Sequence, residues 1–176
     1  KIVNEKNSNI FSIDVIDRKM NLIQLNTSDI VFSLPPQSLL DLIPIDGGLP
    51  TTYRASINKL PKPSGALVFY GALSRSDLPS DCPGHIQIFD EHFGSLFISI
   101  SMEDDQRAPS GMATLIASIF VDVDQWSNLD SQSYTSKKNI VAKQIITIIN
   151  TQLQLTETSW THQELSTPRS FERWTG

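Results

Sequence analysis

Four strand-length runs follow one another between residues 66 and 123, and that succession limits the fold more than any other feature of the sequence. Residues 66–73 are apolar throughout. Residues 85–90, 95–102 and 114–123 are apolar or alternate with polar neighbours, and polar or proline-bearing breaks separate them. Alternation at period two puts one set of side chains on each face of a strand. The break at residues 91–94 is short enough for an antiparallel hairpin. Strands in direct succession, with no helix between each pair, point to an antiparallel or mixed sheet rather than to repeated strand-helix-strand units. Residues 135–153 then change period: Val141, Ile145, Ile148, Ile149 and Leu153 recur at spacings of three and four. That is one face of a helix, with Thr135 or Ser136 as its N-cap. Its β-branched residues lower helix propensity, but a strand of that length would be exceptional. The expected class is α+β, a mixed, mostly antiparallel sheet of about four to six strands flanked by helices.

The flanks are shorter. Residues 10–25 alternate on both sides of a polar turn and predict two strands. Residues 28–36 are compact and apolar up to Pro35 and Pro36, the pattern of a strand buried on both faces. Residues 38–43 predict one or two helical turns ended by Pro44. Gly47, Gly48, Pro50, Pro61 and Pro63 then mark a crossing between layers or domains, within which residues 53–60 form a short extended segment. A last strand is expected over residues 156–165.

Composition narrows the function classes. Of 176 residues, 39% are hydrophobic, and no stretch nears the ~18 uninterrupted apolar residues of a membrane-spanning helix. Lys and Arg total 14 against 19 Asp and Glu, a net charge of −5 without a basic block, so a phosphate-neutralising surface is not expected and nucleic acid is a poor partner. One cysteine, Cys82, excludes an intrachain disulfide framework and a multi-cysteine zinc site, and fits a reducing compartment. The chain begins at Lys1 and ends at Trp174, Thr175 and Gly176, without a leader pattern; we expect an interior segment of a longer protein.

Polar constellations are sparse. Cys82, His85, Asp90, Glu91 and His92 are of metal-ligand type, but on a strand His85 and Asp90 face opposite ways, so solvated hairpin residues are the better reading. Cys82 beside His85 or His162 lacks the cationic or helix-terminal setting that activates a thiol. Ser64 and Ser110 each precede a glycine without the Gly-x-Ser-x-Gly elbow of a hydrolase. Glu103, Asp104 and Asp105 lack the spaced ligands and central glycine of a calcium loop. Gly47-Gly48 has the form of a turn, not of a phosphate loop. The apolar strands could line a lipid-like cavity or simply pack beneath the helix, and ordinary packing is the commoner outcome.

Two segments carry a resemblance. Ser28, Asp29, Val31 and Pro35 are similar to a small-Asp-x-Val-x-x-x-Pro motif, and Thr167, Pro168, Ser170, Glu172 and Arg173 to a Thr-Pro-x-(Thr/Ser)-x-Glu-Arg motif that runs on through Trp174 to Gly176. Tyr134, Lys137 and Lys138 are similar in placement to residues opening the helix before the second motif. In these the chain resembles the interior of FAD-dependent carotenoid desaturases and isomerases, bacterial and cyanobacterial ones among them, within the amine-oxidase-like flavoproteins. The resemblance implies that residues 1–45 are a remnant of the FAD-binding domain, 46–167 a substrate-binding domain, and 168–176 the junction returning to the FAD domain. It also implies an oxidoreductase whose FAD is held by the parent protein, this chain by itself being inactive and without cofactor. No metal is implied. The partner is an apolar polyene, with peripheral membrane contact from a cytoplasmic location. The residues it places near substrate or cofactor are Phe171, Arg173, Trp174, Ser33 and Pro35; catalytic residues are not assigned. A packed hinge is the equal alternative for the first three. Two other readings stay open: a non-catalytic module sequestering an apolar ligand, and an amine-oxidase-type enzyme with a non-carotenoid substrate.

Overall fold

A computed structural model describes residues 1–4, 10–61 and 63–175 of the chain. Two compact units form, Lys1–Lys62 and Pro63–Gly176.

In the first unit, β1 (Ile2–Asn4), β2 (Phe11–Ile16) and β3 (Leu22–Thr27) make an antiparallel sheet in that order. The turn between β2 and β3 is built on Asp17, whose Oδ1 accepts from the amides of Lys19 and Asn21 at 2.8 Å each. Two expectations fail here. Residues 28–36 form no strand, and Val31 is 96% exposed. β3 is the outer strand of its sheet, the Thr27 hydroxyl donates to Asp29 O at 2.9 Å and bends the chain away from it, and a strand left without a neighbour has nothing to satisfy its backbone. Helices α1 (Ser38–Leu42) and α2 (Thr51–Asn58) follow. α2 replaces the extended segment expected at residues 53–60. Tyr53, Ile57 and Leu60 have helical spacing, Ile57 is buried, and the Arg54 guanidinium ties the helix to Ile43 O at 2.7 Å. Ile2 and Ile57 are the buried aliphatic side chains among this unit's described residues.

The second unit is α+β, and its sheet is antiparallel throughout. β4 (Gly65–Ser74), β5 (His85–Asp90), β6 (Gly94–Ile100), β7 (Met112–Val121) and β8 (Trp160–Ser166) stand in the order β5-β6-β7-β4-β8. β4 pairs with β7 along its whole length, because both are long apolar runs that must be flanked to bury their backbone. Between β7 and β8 lie α3 (Asp124–Ser127) and the long α4 (Ser131–Leu153), and α5 (Pro168–Thr175) ends the unit. α4 begins earlier than Thr135 or Ser136 would set it. Its N-cap is Asp130, whose Oδ1 accepts from Gln132 N at 2.9 Å and Ser133 N at 3.0 Å. A carboxylate serves the free amides of a first turn better than a hydroxyl.

The core lies between α4 and one face of this sheet. Val141, Ile145, Ile149 and Leu153 of the helix join Leu67, Phe69 and Leu73 of β4 in one buried cluster with Leu96, Ile98, Leu115 and Ile119. Trp160 closes the β8 side, its ring edge-on to Phe69 at 5.4 Å and its indole N–H donating to Asn150 Oδ1 at 2.9 Å. None of the helices among the described residues is long and apolar enough to cross a membrane.

The loop between β6 and β7 is tied down by Asp105. Its carboxylate accepts from the Arg107 side chain at 2.7 Å, from Arg107 N at 3.0 Å and from Met102 N at 2.7 Å. Chiefly through the Arg107 side chain, its pKa falls from 3.8 to about 2. A carboxylate whose pKa is lower in the folded state stabilises at pH above its ordinary value and loses that contribution as pH falls toward the folded one. Hydrogen-exchange protection of the Met102 and Arg107 amides, corrected for intrinsic rates, is therefore expected to persist to about pH 4 and to disappear near pH 2. Protection that stays level across that window would show that the carboxylate does not hold the loop.

Candidate apolar substrate face

The sheet face away from α4 is built by the other half of each alternation. On β7 it carries Ile116, Ser118 and Phe120; on β6, Ser95, Phe97 and Ser99; on β4, Ala66, Val68 and Tyr70. An antiparallel sheet with one face in water normally alternates hydrophobic inward with polar outward. Here β4, β6 and β7 place no charged residue on the outer face, and on the neighbouring β8 the carboxylate of Glu164 pairs across from Tyr70. Phe120 is 80% exposed, Ile116 41% and Phe97 40%.

Register sets small and large side chains on adjacent diagonals. Ser99 pairs with Ile116 and Phe97 with Ser118, while Val68 pairs with Ser118 and Ala66 with Phe120. The small residues Ser99, Ser118 and Ala66 therefore fall on one diagonal across three strands. Phe97 and Phe120 form the ridge on one side, Ile116 and Val68 the ridge on the other. The diagonal ends at Ala66, which also lines a cleft of about 510 Å³ with Pro63, Gly65, Val123, Pro168 and Phe171. Gly65 is required there: a Cβ at that position would stand 2.7 Å from Pro168 Cγ and 3.0 Å from Val123 Cγ2.

The second sequence motif turns out to be a helix start. Thr167 N donates to Ser170 Oγ at 3.2 Å, Ser170 N donates to Thr167 Oγ1 at 3.4 Å, and Pro168 occupies the first helical position. This is a reciprocal cap with Ser in place of Glu or Gln. Tyr134 Oη lies 2.9 Å from the fully buried Thr167 hydroxyl, and the Arg169 guanidinium stacks over the Tyr134 ring at 4.9 Å while donating to Leu129 O at 3.1 Å. Burial opposes ionisation of this phenol. Its hydrogen bonds to Ser170 and Thr167, with the charges of Lys138 and Arg169, nevertheless bring its pKa below the ordinary value. These residues fix α5 against the start of α4, which places the half-buried Phe171 at the cleft.

The other residues singled out from the sequence are dispersed. Arg173 is exposed and Trp174 is 86% exposed on the same short helix. Ser33 and Pro35 lie in exposed coil of the first unit. Lys137 donates to Gln125 O at 2.9 Å and sits 4.8 Å over the buried Trp126 ring, so its role is packing. Burial pushes the Cys82 thiol above its ordinary pKa, with Asp81 adding to the shift, which disfavours the thiolate a nucleophile needs. His85 stacks on Phe97 at 5.6 Å and His92 packs edge-on to Phe93 at 4.7 Å. Among the described residues no three His, Cys, Asp or Glu side chains are grouped to hold a metal. Gly47 and Gly48 join two helices; a Cβ on Gly47 would stand 2.9 Å from Ile43 Cγ2, so the pair serves a tight reversal and does not fit a pyrophosphate cradle. The residues that sequence reasoning missed are Ser99, Ser118 and Ala66. Their signal is the alternation of small and large side chains along β6 and β7, which means nothing until the registers align it.

Comparison of the chain with protein-family models, curated proteins and solved structures finds no match.

Proposed function

We propose that residues 63–176 are the substrate-holding part of a flavin-dependent oxidoreductase that desaturates or isomerises a carotenoid, with the outer sheet face as one wall of the polyene site. The observation that carries this reading is the diagonal of small residues Ser99, Ser118 and Ala66 between the apolar side chains of Phe97 and Phe120 on one side and Ile116 and Val68 on the other, with Ala66 also lining the cleft at Phe171. A polyene has almost no hydrogen-bonding groups, so it is held by shape and by apolar surface removed from water, at ~25 cal/mol per Å². A wall without lysine, arginine or buried unpaired polar groups suits that task. The first unit, whose described residues bury only Ile2 and Ile57 among their aliphatic side chains, supports the view that its remaining apolar surface is covered by further parts of a flavin domain. FAD, bound by residues outside this chain, supplies the redox chemistry. The residues of this chain bind the polyene, align it along the diagonal and exclude water. The substrate reaches the site from a membrane with which the protein makes peripheral contact on the cytoplasmic side.

The test fills the groove. Ser118→Phe places a large ring on the diagonal without touching the core face. Binding of an all-trans carotene, delivered from liposomes and followed by its absorption shift, is expected to weaken about tenfold, a loss on the scale of ~1.4 kcal/mol. Thermal unfolding is expected to stay near wild type. Unchanged binding by Ser118→Phe would remove the groove from the reading, and absence of carotene binding by the wild-type chain would remove the reading itself.

A further inference from the structure

We propose that β5 is a self-pairing edge through which two copies of this chain join their five-stranded sheets into one. β5 is outermost in its sheet and pairs with β6 at all six residues without a bulge. Outer strands are usually guarded by a lysine, a proline, a bulge or an inward charge. Ile86, Gln87, Ile88 and Phe89 supply none of these, and the strand's carboxylate, Asp90 at its end, is engaged in the turn, accepting from His92 N and Phe93 N at 2.9 Å each.

The backbone parity of this edge suits a twofold partner. Ile100 N donates to Gly84 O at 2.8 Å, in register with the pairs that follow. In an antiparallel ladder hydrogen-bonded and non-bonded pairs alternate. Ile86, Ile88 and Asp90 therefore turn their backbone groups toward β6, and His85, Gln87 and Phe89 turn theirs outward. A twofold axis at Gln87 sets Gln87 opposite Gln87 of the second copy and His85 opposite Phe89 of the second copy. Each of the three outward residues then gains both of its bonds.

The side chains agree with the same register. Ile86 of one copy meets Ile88 of the other on the core side, and both are half-buried in a single copy. On the outer face Phe89, 82% exposed, comes beside His85, which already stacks on Phe97. Asp90 falls opposite Gly84 rather than opposite another carboxylate. Apolar meets apolar on one face and aromatic meets aromatic on the other, so the sequence of β5 is complementary to itself, which makes a second copy the occupant. The resulting interface is isologous and closed.

Sedimentation velocity of the full chain from about 1 to about 200 µM is expected to show a concentration-dependent dimer. Gln87→Pro removes an outward N–H and leaves the β5–β6 bonds in place, and it is expected to give a monomer with unchanged far-UV circular dichroism. Independently, Cys82→Ser combined with Gln87→Cys is expected to form a disulfide-linked dimer under mild oxidation, because facing residues lie about 5.5 Å apart at Cα. Cys82→Ser with His85→Cys, whose position does not face itself, is expected to cross-link at least tenfold more slowly. A wild-type chain that stays monomeric over the whole range overturns the proposal, as does a dimer that cross-links equally well from both cysteine positions.

Discussion

Replacing Gly71 by alanine is expected to destabilise the second unit by about 4 kcal/mol, more than a single methyl group normally does in a strand. The new Cβ would stand 2.3 Å from Trp160 Cζ3 and 2.9 Å from Trp160 Cε3, and ring carbons of a half-buried indole held by Asn150 and Phe69 cannot swing aside as the end of a flexible chain can. Trp160 would have to leave its place. In doing so it gives up its hydrogen bond to Asn150 and its edge contact with Phe69. Overpacking strain of ~1–3 kcal/mol, a lost hydrogen bond of ~1 kcal/mol and a lost aromatic pair of ~1 kcal/mol account for the size. Urea unfolding followed by tryptophan fluorescence measures it. Trp160→Leu in the Gly71→Ala background should recover part of the loss, since the smaller side chain leaves room for the methyl group. A Gly71→Ala variant within about 1 kcal/mol of wild type would mean that Trp160 repacks freely and does not seal the core.

Trp126→Ala is expected to cost about 3–5 kcal/mol in the same assay. Among the described residues Trp126 is the largest fully buried side chain, and it joins the core cluster from the four-residue helix α3, which has few other anchors. Its indole also supports the first turns of α4: Tyr134 packs edge-on at 6.2 Å and Lys137 lies over the ring. The cavity left behind would loosen Tyr134 and with it the cap of α5, so Phe171 should become more mobile at the cleft. Lys137→Met, which keeps the chain length and drops the charge, separates the terms and should cost less than about 1 kcal/mol. A loss as large for Lys137→Met as for Trp126→Ala would place the energy in the charge rather than in the buried ring.

Much of the second unit was legible because its strands are long and their alternation is strong. Leu67, Phe69 and Leu73 point to one face by period two, and Val141, Ile145, Ile149 and Leu153 to one face by helical period, before any contact is known. The short apolar runs were not legible. Residues 28–36 have the composition of a buried strand, but a strand also needs a neighbour, and composition does not say whether one is there. Residues 53–60 carry a helical spacing too brief to outweigh the surrounding Gly and Pro. The N-cap of α4 was misplaced because Asp130, Thr135 and Ser136 are all good caps and only backbone geometry separates them. At the candidate site, Phe171 lies in the segment that carries the resemblance and lines the cleft. Ser99 and Ala66 were not, since small residues leave no mark until they share a diagonal.

The sequence by itself determined the α+β class, the hairpin of β5 and β6, the long helix, and a lack of charge on the central strands that any aqueous fold must hide or use. These are local properties, written in the period of the chain. Tertiary structure alone decided which strands are neighbours and in what register, and therefore that Ser99, Ser118 and Ala66 line one groove, that Trp160 lies against Gly71, and that Thr167 meets Tyr134. Register is a relation between distant segments, set by which pairing buries the most apolar surface while satisfying the backbone, and no segment carries that information alone.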